Sequence, residues 1–308
     1  MPEPVIRIEG LRKSYDEVDA LNGVDLRVEE EEVFAVLGPN GAGKTTMLEI
    51  LEGYRDRDAG TVEVLGIDPA HPTAAWRERV GIVLQETALE TLLSVRESLE
   101  LYAGYYSAPR PVDEVIELVG LGEKADSRTG KLSGGQKRRL DVGIALIGDP
   151  DLLFLDEPTT GFDPSARRHA WQMIAGLRDL GKTVLLTTHY MDEAQFLADR
   201  VAVMNRGSVV AVDSPGRLGD RENQPTRISF RVGPGQTLSG ADPIPGTSGP
   251  EAVAEAADGG IEVDFESDSP TADLRLLTAW AIEQDVELEG LEVRRPSLED
   301  IYLELTSR

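Results

Sequence analysis

The 308 residues carry 56 acidic and 31 basic side chains, a net charge of -25. A surface that negative repels nucleic acid and anionic lipid, which argues against either as a direct partner. The absence of cysteine excludes disulfides, thiolate nucleophiles and cysteine-based metal sites.

No run of eighteen apolar residues occurs, and the first twenty residues lack the basic start and apolar stretch of a signal peptide. No transmembrane segment is therefore expected, and the chain is expected in the cytoplasm. The acids are spread along the chain rather than gathered in a tail, and only six of the basic residues are lysine. That pattern suits a protein kept soluble in concentrated salt, and a halophilic source is the expectation.

Taken in chain order, "PVIRIEG", "LNGVDLRVEE" and "EVFAVLG" are short β-rich runs of the kind that form a small sheet. Gly41 and Gly43 then hand over to a helix starting near Lys44. Residues 93 to 120 carry apolar side chains at helical spacing and read as a helical insert. "DLLFLDEP", "KTVLLTTH" and "RVAVMNRG" are unbroken apolar strands, as in a parallel sheet covered on both faces. From Gly233 to Pro250 the glycine and proline content predicts a loop, flanked by alternating strands at Ile228, Phe230 and Val232 and at Ile261, Val263 and Phe265. A helix near Thr271 to Gln284, a strand near Val286 to Val293 and a last helix from Ser297 complete a second unit, with the boundary near Gly219. Ser297 and Asp300 stand at N-cap and N3 spacing, and Leu298, Ile301, Tyr302 and Leu305 make one apolar face.

Two stretches have the composition of anion cradles. "GPNGAGKTT", from Gly38 to Thr46, satisfies G-x-x-x-x-G-K-[ST] between an apolar strand and a helix. Its glycines let successive N-H groups point at phosphate oxygens, Lys44 adds a point charge, and Thr45 offers a hydroxyl to Mg²⁺. "KLSGGQKRRL", residues 131 to 140, places Ser133, Gly134 and Gly135 before a second helix, where they serve as an anion site, a helix cap or both. Asp156 and Glu157 end an apolar strand, the edge at which open α/β sheets bind ligands. Beside a phosphate loop they would be a Mg²⁺ partner acting through water and a base for the attacking water.

Together these residues resemble the ATP-binding subunit of ATP-binding cassette (ABC) transporters, over roughly residues 4 to 218. The chain carries in order Tyr15, the phosphate loop, Gln85 in "GIVLQE", the "LSGGQ" signature, "LLFLDEP", "TTGFDP" with Asp163 and "TTHYMDEA" with His189. Phe162 replaces the leucine more usual before Asp163. The resemblance implies an α/β P-loop cassette over 1–218, mostly a parallel sheet with helices on both faces, an antiparallel β subdomain and a helical subdomain at about 86–145. A small α+β domain follows over 219–308.

It further implies ATP and Mg²⁺ as ligands. Tyr15 would stack on adenine. Gly38, Pro39, Asn40, Gly41, Ala42, Gly43, Lys44, Thr45 and Thr46 would cradle the phosphates. Thr45, Gln85 and Asp156 would serve the metal, the last through water. Glu157, His189 and Gln85 would carry catalysis. Ser133, Gly134, Gly135 and Gln136 would act on the nucleotide of a second cassette, with Asp163 at the dimer interface.

The ending "RRPSLEDIYLELTSR" is similar to that of ATPase subunits serving type-2 exporters, including daunorubicin-class drug pumps. The expected partners are thus a second copy or a related cassette and an integral membrane permease, holding the chain at the inner face of the membrane. A soluble ATPase switch acting on a cytosolic partner, or an importer ATPase with a regulatory domain, is the alternative. The cargo is not written in this chain.

The charge carries its own prediction. Like charges oppose both the compact fold and the meeting of two such chains, and the screening length falls from about 8 Å at 0.15 M salt to about 3 Å at 1 M. Melting temperature and ATP-driven dimerisation are expected to rise steeply from about 0.1 M toward molar KCl. A salt series of melting curves checks this, and flat stability across the range would reject the halophile expectation.

Overall fold

The computed structural model describes residues 3–84, 89–221, 224–234, 251–255 and 259–307. Gln85 and all but the first two residues of the expected 233–250 loop lie outside them. The chain divides into two compact units, Met1–Leu218 and Gly219–Arg308.

The first unit opens with the antiparallel pair β1 (Ile6–Tyr15) and β2 (Val18–Val28), which turns at Asp16 in the left-handed region. Then come β3 (Val33–Leu37), α1 (Lys44–Leu51), β4 (Ala59–Val64), α2 (Ala74–Glu78) and β5 (Val80–Val83). Helices α3 (Val95–Ala103), α4 (Val112–Leu118) and α5 (Gly134–Leu146) precede β6 (Leu152–Asp156). The unit finishes with α6 (Pro164–Asp179), β7 (Thr183–Thr188), α7 (Met191–Leu197), β8 (Arg200–Asn205) and β9 (Ser208–Asp213).

Two sheets result. The smaller, ordered β2-β1-β4, is antiparallel, and β1 buries Ile6, Ile8 and Leu11 while exposing the residues between them. The larger is ordered β5-β6-β7-β3-β8-β9 and is parallel except at β9, which pairs antiparallel with β8. Every residue of β3, β6 and β7 is buried, because a central parallel strand is covered on both faces. The carboxyl ends of these three strands therefore open at one edge, where Lys44, Asp156, Glu157 and His189 follow them.

The expected helical insert is α3 and α4, which pack with α5 around Val95, Leu99, Val115, Ile116 and Leu140. Its start is set locally: Ser94 and Glu97 form a reciprocal capping box.

The second unit has β10 (Thr226–Val232), β11 (Glu251–Glu255), β12 (Ile261–Ser267), α8 (Pro270–Glu283), β13 (Glu289–Arg294) and α9 (Leu298–Ser307). Its antiparallel sheet, β11-β12-β10-β13, sets Ile228, Phe230, Val232, Val263 and Phe265 against Leu277 and Trp280 of α8. Strand β11 was not legible in the sequence, and β13 begins three residues later than expected. Asp285, in the left-handed region, closes α8, and the Val286 N–H returns to Ala281 O at 2.8 Å. That cap draws Val286 away from the strand. Ser297 and Asp300 cap α9 as their spacing predicted, with Asp300 N donating to Ser297 Oγ at 3.1 Å.

Helix α1 ends on a buried acid. Its C-cap, Glu52, is 6% exposed, and its Oε1 has no hydrogen-bond partner among the described residues. Burial, reinforced by Asp156 and Glu49, pushes its carboxyl up to about 8. The folded chain therefore holds a proton that the unfolded chain releases above the ordinary glutamate value, so stability falls as pH rises from about 4.5 to about 8. Glu52→Gln imitates the protonated form. Melting curves should coincide for the two proteins near pH 4.5. Near pH 8 the variant should be more stable by a few kcal/mol, since each pH unit between the folded and unfolded values contributes about 1.4 kcal/mol.

Candidate functional site

The phosphate loop depends on two backbone conformations that only glycine adopts freely. Gly41 has φ +81° with open space where a side chain would be, so its requirement is conformational. Gly43 has φ +101° and faces Ala20 O, which an added Cβ would meet at 2.4 Å, so neither conformation nor space allows a side chain. Lys44, 5% exposed, donates to Gly38 O at 2.8 Å and Pro39 O at 3.2 Å, and lies 3.4 Å from Glu157 Oε1. The ammonium is thus held inside the loop it belongs to.

Around Lys44 the strand ends converge. Thr45 Oγ1 donates to Asp156 Oδ2 at 3.3 Å, and Thr187, on the neighbouring strand β7, donates its hydroxyl to Asp156 Oδ1. The same Thr187 oxygen accepts the Glu157 N–H at 3.0 Å. Glu157 Oε2 accepts from Thr160 Oγ1 at 3.1 Å and stands 3.3 Å from His189 Nδ1, without the alignment of a hydrogen bond. Burial pushes the Glu157 carboxyl up, but Lys44, His189 and Thr160 outweigh it and hold the group below the usual glutamate value. It is therefore ionised at neutral pH and free to accept a proton.

These residues line a recess of about 830 Å³ that also includes Tyr15, Val18, Asn40, Thr46 and Arg206. Tyr15 is partly exposed at its mouth, with Arg55 5.3 Å and Lys13 5.6 Å from the ring centre. A base stacked on Tyr15, triphosphate on the loop and metal beside Thr45 and Asp156 are mutually compatible with this lining. Gln85 lies outside the described residues.

A second recess, about 600 Å³, is lined by Ser133, Gly134, Gly135, Asp163 and Phe162. Glu157 and Thr160 line both. Ser133 and Gln136 form a capping box at the start of α5, Gln136 N donating to Ser133 Oγ at 3.3 Å and Ser133 N to Gln136 Oε1 at 2.9 Å. The box occupies Gln136, whereas Gly134 has nothing within 4 Å of where a side chain would stand. Asp163 caps α6, accepting from Ser165 N and Ala166 N at 2.9 Å each. Beneath, the fully buried Glu193 of α7 accepts from Thr159 Oγ1 at 2.7 Å and Trp171 Nε1 at 3.0 Å, joining the segment after β6 to α6 and α7.

Sequence reasoning missed Thr187 and Thr160. A polar residue closing an otherwise apolar strand, as in "TVLLTTH", was the available signal for the first. Nothing local marked the second.

Residues 21–160 match the family model described as ABC transporter, and residues 226–297 match that of an ABC transporter domain-containing protein-like C-terminal domain. Over 99% of its length the chain is 36% identical to 97% of the daunorubicin resistance ATP-binding protein DrrA3 of Streptomyces coeruleorubidus. It is 33% identical to the linearmycin resistance ATP-binding protein LnrL of Bacillus subtilis, over 99% of both. Among solved structures, the ATP-binding cassette MJ0796, in a dimeric post-hydrolysis state bound to ADP and Pi, superposes with TM-score 0.61 and 26% identity over 68% of this chain and 98% of that one. The likeness over the whole chain and the phosphate-loop geometry agree, and the chain belongs to the ATP-binding subunits of ABC transporters, with the ATPase activity that membership carries.

Proposed function

We propose that this ATPase dimerises head to tail on binding ATP and drives a separate membrane permease that exports a drug, lipid or other small molecule. The observation that carries the dimer is the position of Glu157, which lines both the phosphate-loop recess and the signature recess. A nucleotide closed between two copies would then report to both through one carboxylate. The export reading rests on likeness to resistance proteins that extends through the C-terminal unit. Among the described residues no helix is long and apolar enough to cross a membrane.

The residues divide the work as follows. Lys44 has three N–H donors and uses two on its own loop, leaving the direction toward Glu157 for a phosphate oxygen. Glu157 accepts a proton from the attacking water, and the Thr160 hydroxyl holds its carboxylate in place beside His189. The Thr45 hydroxyl and the Asp156 carboxylate are hard oxygen donors next to each other and fit Mg²⁺. When bound there, the metal would neutralise charge on the phosphate oxygens. Ser133 and the open Gly134 N–H, at the positive start of α5, would meet the phosphate of the opposing copy.

Two variants test this. Glu157→Gln retains shape and hydrogen bonding but removes the base, so turnover should fall by about 10² to 10⁴. ATP should still bind, and the ATP-bound dimer should accumulate in light scattering. Full turnover, or no dimer with ATP, would reject the proposal. Ser133→Arg separates the signature's role from its capping: turnover should vanish while the monomer's ATP affinity stays unchanged. A large affinity loss in a folded monomer would show that the signature serves its own chain.

A further inference from the structure

Arg138 sits on the second turn of α5, five residues past Ser133, and is 6% exposed. Its guanidinium makes hydrogen bonds, among the described residues, to three backbone carbonyls. Nη2 donates to Asp156 O at 2.6 Å, Nε to Pro158 O at 3.2 Å and Nη1 to Leu84 O. Two of these carbonyls flank Glu157. The third follows β5, which runs parallel to β6 with Val83 opposite Leu155, so Leu84 and Asp156 end neighbouring strands side by side.

Glu157 itself has φ +44°. A non-glycine residue keeps that left-handed conformation only where its surroundings impose it. Here its N–H is taken by Thr187 and the carbonyls before and after it are taken by Arg138. The peptide before the base is therefore pinned at both its C=O and its N–H, the Pro158 carbonyl beyond it is held as well, and the side chain is aimed at Lys44 and His189 by the backbone rather than by its own partners alone. Arginine's planar fork spans three acceptors on two segments, which the single ammonium of lysine does not.

We propose that Arg138 is a positioning residue for hydrolysis. It holds Glu157 in its left-handed conformation and ties that geometry to the helix that begins with the signature. The proposal rests on the reading of Glu157 as the base. It gives α5 a direct mechanical link to the base, so a phosphate meeting Ser133 and Gly134 acts on the helix that grips the catalytic segment.

Arg138→Lys is the test, compared with wild type and Glu157→Gln in kcat, KM, equilibrium ATP affinity and thermal melting. The expected result is a kcat lower by about 10²-fold, the scale of a misplaced catalytic group. ATP affinity should be unchanged and melting cooperative. Arg138→Gln, which keeps two N–H donors but is shorter and uncharged, should lose at least as much kcat as Arg138→Lys. Full turnover in Arg138→Lys beside an inactive Glu157→Gln overturns the proposal and leaves the base assignment standing. Full turnover in Glu157→Gln overturns the base assignment, and the proposal with it. Loss of ATP affinity in parallel with kcat, or failure of both arginine variants to fold, also overturns it, because Arg138 would then support the fold as a whole.

Discussion

The left-handed backbone at Glu157, φ +44° at the end of the fully buried strand β6, is the constraint on which the rest of the site depends. It costs roughly 1–2 kcal/mol for an L-residue, and β6 alone does not impose it. Thr187 from the adjacent strand and Arg138 from α5 supply the hydrogen bonds that hold it. Thr187 uses one hydroxyl to fix both acids, donating to Asp156 and accepting from the Glu157 N–H. Asp156 and Glu157 are consecutive yet make different contacts, Asp156 with Thr45 and Thr187 and Glu157 with Lys44 and Thr160. The parallel sheet makes this feasible, since β5, β6, β7 and β3 bring their carboxyl ends to one edge.

The chain carries a net charge of -25, yet Lys44 and Arg206 stand in the phosphate-loop recess, beside Glu157 and Asp19. An approaching triphosphate meets a repulsive field at long range, which salt screens, and convergent donors at short range, which salt screens far less. The same short-range balance keeps Glu157 ionised although it is largely buried. Glu52 shows the opposite outcome: burial, with Asp156 and Glu49 nearby and no offsetting cation among the described residues, pushes its carboxyl up to about 8.

The Gly219–Arg308 unit has a separate core around Phe230, Phe265 and Trp280, and its matched family description is specific to a C-terminal domain of ABC transporter proteins. Its sheet carries acidic residues on the exposed positions of β12 and β13, including Glu262, Glu266, Glu289 and Glu292. The apolar alternation of β10 and β12 places their other face inward against α8, as their period of two requires.

What the sequence determined by itself was local. The phosphate loop, the Ser133 and Ser297 caps, the buried strands and the order of the ABC motifs all follow from residue types at fixed short spacings, where backbone geometry leaves few alternatives. Strand β11 escaped because five residues beside a glycine-rich stretch carry too little pattern. The start of β13 was misplaced because the αL cap at Asp285 has no glycine to announce it. Tertiary structure alone decided the rest. Thr187 lies 30 residues from Glu157 and Arg138 lies 19 before it, and neither spacing means anything until parallel pairing brings β7 and α5 to the end of β6. Side chains that act on a neighbour's backbone leave no periodic or compositional trace, since their requirement is a distance in space.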